Sequence, residues 1–239
     1  MVEPLVILIG MFTASYLIGG ISFARIISRL ISPGLDVAQV QIPIDQSSET
    51  YSAVSIGANS ASSVLGAKWG MIIALLDILK VFVPTLLVRL FFPDPLFFGG
   101  VALTGMAGHI WPVYYRFHGG SGYSAAVGGL LAIDWLAVLV TPLAGIILGM
   151  VILRNVTVAI LSWMWLLIPW FWFRTHNIWF VFFAVGINIL FFLAMIPEFK
   201  VMLKFKKEGR LMEYGRGNLK SNPMGRGFLK IAKIFKINV

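Results

Sequence analysis

The 239 residues contain no cysteine, which excludes disulfides, thiolate metal sites and cysteine nucleophiles. Histidine is nearly absent as well, and His109, His118 and His176 have no spacing that suggests a metal cage. Charge is scarce: Asp, Glu, Lys and Arg make up 12% of the chain, against roughly 25% in soluble domains. A soluble enzyme, a secreted scaffold and a disordered chain are all excluded by that shortage. What is present is apolar: 59% hydrophobic residues and a mean hydropathy of +0.89. These residues fall in runs of about twenty, the length that crosses a hydrocarbon core ~30 Å thick at ~1.5 Å per residue. The expected class is therefore an all-α, polytopic membrane protein.

Positive charge is concentrated at one end. Residues 197–239 carry eleven Lys and Arg against Glu198, Glu208 and Glu213, which is +8 of the chain's net +9. A basic tail after the last apolar run reads as cytoplasmic, with anionic lipids as its partner and nucleic acid the weaker reading. Two regions follow: a membrane domain over 1–196 and a basic, partly amphipathic cytoplasmic tail over 197–239. In the tail Lys230, Lys233 and Lys236 share one helical stripe opposite Phe228, Ile231 and Phe235, the pattern of a helix lying in a membrane surface.

Clear spans are expected over 5–27, 69–92, 96–117, 135–153, 156–173 and 178–196. The piece from Gly122 to Ile133 is short, rising only ~18 Å as a helix. Counting it gives about seven transmembrane helices, with the N-terminus outside and Arg25, Arg29, Lys68, Arg116, Arg154 and the tail inside; only Arg89 and Arg174 then face outward. Trp163, Trp165, Trp170, Trp172 and Trp179 are expected to form an interfacial belt.

This topology brings two non-membrane segments to one face: the long polar loop 32–68 and the turn Phe117-His118-Gly119-Gly120-Ser121-Gly122. Either can be a mere connection, yet loops on rigid scaffolds often carry sites. The glycines can turn backbone N–H groups toward an anion, with Ser121 and His118 adding donors; they can equally just start the short span. Asp77 and Lys80 lie three residues apart on one helix face inside a span, and read either as a structural ion pair or as substrate ligands. His109, at the end of its span, can hydrogen-bond an anion or be structural.

The runs Leu65-Gly66-Ala67-Lys68-Trp69-Gly70 with Leu76-Asp77-Ile78-Leu79-Lys80, and Gly108-His109-Ile110-Trp111-Pro112-Val113 with Phe117-His118-Gly119-Gly120-Ser121-Gly122, carry a resemblance. With Tyr16-Leu17-Ile18-Gly19-Gly20-Ile21-Ser22-Phe23 they resemble the bacterial PlsY-type glycerol-3-phosphate acyltransferases over roughly residues 12–196. That family implies seven spans in the inner (cell) membrane and transfer of an acyl chain from acyl phosphate to glycerol 3-phosphate or a similar polyol phosphate, with no cofactor or metal. Carried onto this chain, the resemblance implies an anion pocket where loop 52–63 meets turn 117–122. Asn59, Ser60 and His109 would be catalytic there. Gly57, Asp77, Lys80, Arg116, His118, Gly119, Gly120, Ser121 and Gly122 would bind substrate.

The departures fall where the family holds phosphate. The family's loop Gly-Ser-Gly-Asn-hydrophobic-Gly-Ala-Thr-Asn, with an Arg three residues on, aligns with Ser52-Ala53-Val54-Ser55-Ile56-Gly57-Ala58-Asn59-Ser60, and Ser63 replaces the Arg. His118 and Ser121 replace the two lysines of Phe-Lys-Gly-Gly-Lys-Gly, and Glu198, Phe199 and Met202 stand in place of an Arg-His-x-x-Asn run. Charge-assisted hydrogen bonds to phosphate contribute about 1.5–3 kcal/mol each. Either other cations compensate, Arg116 and those of the tail being the candidates, or the acceptor is not glycerol 3-phosphate. The alternative function is a non-catalytic relative that binds lipid or a partner protein.

Overall fold

The computed structural model describes residues 2–237. In chain order it contains α1 (Val2–Gly19), α2 (Phe23–Ile31), β1 (Gln41–Pro43), β2 (Thr50–Ser52), α3 (Ala58–Leu65), α4 (Ala67–Phe91), α5 (Pro95–Ile110), α6 (Tyr123–Ile133), α7 (Trp135–Ile146), α8 (Val156–Thr175), α9 (Ile178–Lys207), α10 (Leu211–Ser221) and α11 (Pro223–Ile234). In so apolar a chain the helix boundaries are set by isolated polar residues. Asp94, Asp134, Asn155, Asn177 and Asn222 each sit at an N-cap and accept from a backbone N–H of the first turn. Each such cap is worth about 1 kcal/mol. Pro84, Pro142 and Pro169 lie within helices, where neighbouring helices compensate the backbone bond a proline removes.

Among the described residues, six helical segments are long and apolar enough to cross a membrane: Leu5–Ile31, Ala67–Phe91, Pro95–Tyr115, Trp135–Ile152, Val156–Thr175 and Ile178–Lys207. The first runs through both α1 and α2, and the last leaves the apolar stretch and continues past Pro197 to Lys207. The chain is thus a multi-pass, helical membrane protein.

The shorter α6 is the innermost piece, with seven of its eleven residues buried. Its Gly and Ala residues allow this, because a side chain at Gly128 would collide with the Ile78 carbonyl of α4. Leu130 of α6 packs with Val81 of α4, Met106 of α5, Phe171 of α8 and Ile187 of α9 in the main core cluster. One end of α6 lies at Gly122, against Met106 and Ile110 of α5. At the other end the Arg89 guanidinium donates to the carbonyls of Ala132 and Ile133, satisfying groups a helix C-terminus leaves open. Asp134 follows directly and accepts from Arg174 and Trp170, both at 3.0 Å.

The tryptophans divide. Trp165, Trp172 and Trp179 are exposed, as a belt requires, whereas Trp163 is buried against Tyr123 and belongs to the core. That corrects its expected place in the belt: packing against α6 outweighs the pull of the interface.

At the Gly122 end of the bundle the polar loop is not irregular. It forms the antiparallel pair β1–β2, a small departure from an all-α fold, followed by α3. Helices α10 and α11 fold back over this face. Ile44 and Tyr51 of the hairpin region pack with Phe205 and Tyr214. Ala232 joins Met150, Val156 and Ala159, with Phe228 and Ile231 against them. The apolar stripe of α11 therefore packs largely on the protein, while Lys230, Lys233 and Lys236 stay exposed.

Candidate active site

Three ionisable side chains meet inside the bundle. Lys80 Nζ lies 2.7 Å from Asp77 Oδ1, and His109 Nδ1 lies 3.7 Å from the same oxygen. All three are almost fully buried, and Lys80 also donates to the Ile21 carbonyl at 2.6 Å. The cluster thus ties α4 to the link between α1 and α2 and to the end of α5. Burying ionisable groups is costly, and mutual pairing offsets that cost.

His109 also anchors the glycine turn. Its carbonyl accepts from Gly120 N at 3.0 Å, and its ring lies so close to Gly120 that a side chain there would strike it. The turn's Gly119 carbonyl accepts from Ile56 N at 2.8 Å, which fastens the polar loop to it. Beyond that bond Ser60 Oγ and the Gly57 backbone form a closed pair, with Gly57 N–H donating to Ser60 Oγ and Ser60 Oγ to Gly57 O, each at 3.0 Å. The loop 52–63 and the turn 117–122 therefore do meet.

A cavity of about 450 Å³ opens where they do. Asn59, Ser60, Ser63, Ser121 and Tyr123 line one side. The turn Arg154-Asn155, the stretch of α9 that contains Met195, Glu198 and Met202, and the inner faces of α10 and α11 line the rest. Its walls are mostly apolar, with Leu161, Phe199, Met224 and Phe228 among them. Arg154 is its one cation and Glu198 its one acid among the described residues.

Several expectations are corrected by this geometry. His109, Asp77 and Lys80 do not line the cavity; they lie behind the turn, where their own pairing holds them. Arg116 and His118 do not line it either: both lie on the outer side of the turn, and the His118 ring is hydrogen-bonded to the Arg116 carbonyl at 2.7 Å. Of the backbone donors at Gly57, Gly119 and Gly120, the first and last already serve Ser60 and His109, so an open three-glycine anion cradle is not what the turn makes. Gly122, in the left-handed region at φ +89°, makes the bend that starts α6.

Two of the tail cations expected to compensate are engaged elsewhere. Lys220 pairs with Asp45 at 2.5 Å, and Arg210 with Glu49 and Glu213 at 2.7 and 2.9 Å. Tyr214 donates to Glu198, to which Asn218 also donates at 3.2 Å. Burial first, and then the Glu198 carboxylate, push the Tyr214 phenol well above its ordinary value of 10.0; Tyr51 beside it is raised for the same reasons in the same order. The tail is thus latched to the loop and to α9.

Sequence reasoning missed two residues. Arg25 is buried, lies over the Tyr115 ring at 4.3 Å, and donates to the His118 carbonyl at 2.8 Å, holding the outer side of the glycine turn. Its position three residues after Ser22, in an otherwise apolar run, was the available signal. Arg154 reaches the cavity from the break between two spans, and the dipeptide Arg154-Asn155 between apolar blocks could have flagged it.

The sequence model of the glycerol-3-phosphate acyltransferase family matches residues 9–208. The chain is 31% identical over 121 residues to a glycerol-3-phosphate acyltransferase of Aquifex aeolicus, covering 50% of this chain and 56% of that one. It is 32% identical over 129 residues to one of Yersinia pestis strain Pestoides F, covering 54% of each. The chain thus spans about half the length of the curated relatives it matches. A crystal structure of PlsY, an integral membrane glycerol 3-phosphate acyltransferase, in its glycerol 3-phosphate form, shares the fold with a TM-score of 0.67 and 24% identity, over 82% of this chain and 92% of that one. Residues 9–208, with both runs around His109 and Asp77 inside them, make this chain a member of the glycerol-3-phosphate acyltransferase family.

Proposed function

We propose that the protein is an acyltransferase of phospholipid biosynthesis that moves an acyl chain from acyl phosphate to a hydroxyl of glycerol 3-phosphate or a related polyol phosphate. The observation that carries this reading is the cavity at which the Asn59–Ser63 segment and Ser121 share a wall beside an apolar lining. The family membership supports it, and relatives at about one-third identity bear that activity in their names.

The acceptor oxygen attacks the acyl carbonyl carbon, the bond from that carbon to the phosphate oxygen breaks, and phosphate leaves with the electron pair and takes up the acceptor's proton. Such an activated donor needs alignment and oxyanion stabilisation more than a nucleophile. Asn59 and Ser121, whose side chains have no partner among the described residues, face the reacting groups, and Ser60 shapes the loop that presents them. Asp77, Lys80 and His109 act as positioning residues, keeping the turn at Gly119 and Gly120 in register with Gly57. Arg116, His118 and Gly122 belong to the outer frame of the same turn.

The chain sits in the inner membrane with its N-terminus outside and its tail in the cytoplasm. Supporting this, Arg154 and the tail gather at one end of the bundle, and Arg89 and Arg174 at the other. The α6 helix makes a seventh crossing, sheltered by its neighbours and ending at Arg89. Lys230, Lys233 and Lys236, with exposed Ile234 and Phe235, rest on anionic lipid headgroups. The test is to give the purified protein an acyl phosphate with a panel of polyol phosphates and to read the products by mass spectrometry. Acyl transfer to at least one of them is expected; a folded protein that acylates none overturns the proposal.

A further inference from the structure

The match to the family ends at residue 208, yet much of the cavity wall lies beyond it. Tyr214, Asn218, Leu219, Asn222, Met224 and Phe228, all in α10 and α11 or the link between them, face the same space as Asn59 and Ser121. The cavity's volume of about 450 Å³ falls within the roughly 300–1,000 Å³ of small-molecule sites. Its charge is arranged asymmetrically. Glu198 is already served by Tyr214 and Asn218, whereas Arg154 has no hydrogen bond or ion pair to any described residue. Arg154 holds a left-handed backbone at φ +49°, as Arg116 and Lys236 do elsewhere in the chain, and this makes the sharp turn between the two spans. A guanidinium without a partner among the described residues, at the edge of an apolar chamber, suits a ligand with an anionic head and a single apolar chain.

We infer that the tail helices α10 and α11 are a wall of the substrate site, and that Arg154 recognises the phosphate of a single-chain lipid whose chain lies among Leu161, Met195, Phe228 and their neighbours. This rests on the acyl-transfer reading for the identity of the lipid. Two sources share that chemistry, the acyl phosphate donor and the acylated polyol phosphate product. Arg154 thereby supplies a cation that the loop and the glycine turn lack, and it acts as a specificity-determining residue for phosphate over uncharged lipid.

Because the chain has no cysteine, Met224→Cys gives a single labelling position on the tail side of the cavity. The full chain carrying an environment-sensitive dye there, in phosphatidylcholine nanodiscs, is titrated with dodecyl phosphate, lauroyl lysophosphatidate and dodecanol. A saturable response to at least one phosphate lipid is expected, with dodecanol much weaker, and the stronger phosphate ligand identifies the donor or the product side. Arg154→Gln should weaken the phosphate lipid about tenfold and leave dodecanol unchanged. A response equal in wild type and Arg154→Gln, or none from the dye while a separate assay detects binding, overturns the inference. The acyl-transfer reading stands or falls separately: product without Arg154 dependence defeats only this inference, and Arg154-dependent binding without product defeats only the transfer.

Discussion

The ionisable cluster behind the glycine turn and the single arginine in front of it differ in burial and in partners. Behind the turn, Asp77, Lys80 and His109 are 2%, 8% and 7% exposed; Lys80 is paired with Asp77 and bonded to the Ile21 carbonyl, and the His109 ring lies 3.7 Å from the same carboxylate. In front of it, Arg154 is solvent-accessible and has no partner among the described residues, beside the side chains of Asn59 and Ser121, which have none there either. An ionisable residue in a membrane domain invites a functional reading, but pairing separates the two cases. A charge whose partners are all protein groups holds the fold, and a charge without one is available to a ligand.

That contrast is broken most forcefully at Lys80. Lys80→Met should cost about 3–5 kcal/mol of stability, because it leaves the Asp77 carboxylate buried without its ion pair. Adding Asp77→Leu should restore most of the loss, and thermal unfolding in detergent reads both. If the double variant is no more stable than Lys80→Met, the cluster is not an isolated structural pair.

The next effect concerns the tail latch. Tyr214→Phe removes one donor to Glu198 and should weaken docking of α10 by about 1–2 kcal/mol, seen as faster proteolysis after residue 208. The raised phenols of Tyr214 and Tyr51 predict an alkaline counterpart. Below pH about 10 these phenols are neutral whether docked or free. Above it the phenols of Tyr214 in the tail and Tyr51 in the loop lose protons when the tail is undocked that they retain when it is docked, so docking weakens as pH rises. Tail proteolysis should therefore accelerate above that pH in wild type and less so in Tyr214→Phe.

Arg154→Gln should raise the KM for acyl phosphate about tenfold, ~1.4 kcal/mol, while leaving the unfolding midpoint where it was. The smallest effect is expected at Lys220. The Lys220 side of its ion pair with Asp45 is 56% exposed, against 13% for Asp45, so solvent screens the ammonium and Lys220→Ala should change docking by only about 1 kcal/mol, most visibly at low salt.

The bundle was legible because apolar runs write their own boundaries: the span starts expected at 96, 135, 156 and 178 fall within one residue of the helices that Asp94, Asp134, Asn155 and Asn177 cap. The meeting of the polar loop with the glycine turn was legible from topology. Which side chains face the cavity was not. Three-residue spacing puts Asp77 and Lys80 on one face without telling whether that face meets a chamber or a helix. Arg116 looked like the available cation of the turn and His118 like an added donor, but the His118 ring bonds locally to the Arg116 carbonyl, and the bond from Arg25 that holds the His118 carbonyl is set by tertiary contact. The tail's amphipathic stripe fits a membrane surface or a protein surface equally well, and only the neighbours Met150 and Val156 decide that α11 packs on the bundle.

The most direct measurement is the initial rate of lipid product formation against acyl phosphate concentration, for wild type and Arg154→Gln in the same nanodiscs with glycerol 3-phosphate and related polyol phosphates as acceptors. The account predicts that wild type forms an acylated product and that Arg154→Gln forms the same product with a KM about tenfold higher and an unchanged unfolding temperature. A folded wild type that forms no acylated product from any acceptor, or an Arg154→Gln curve that overlies it, would contradict the account.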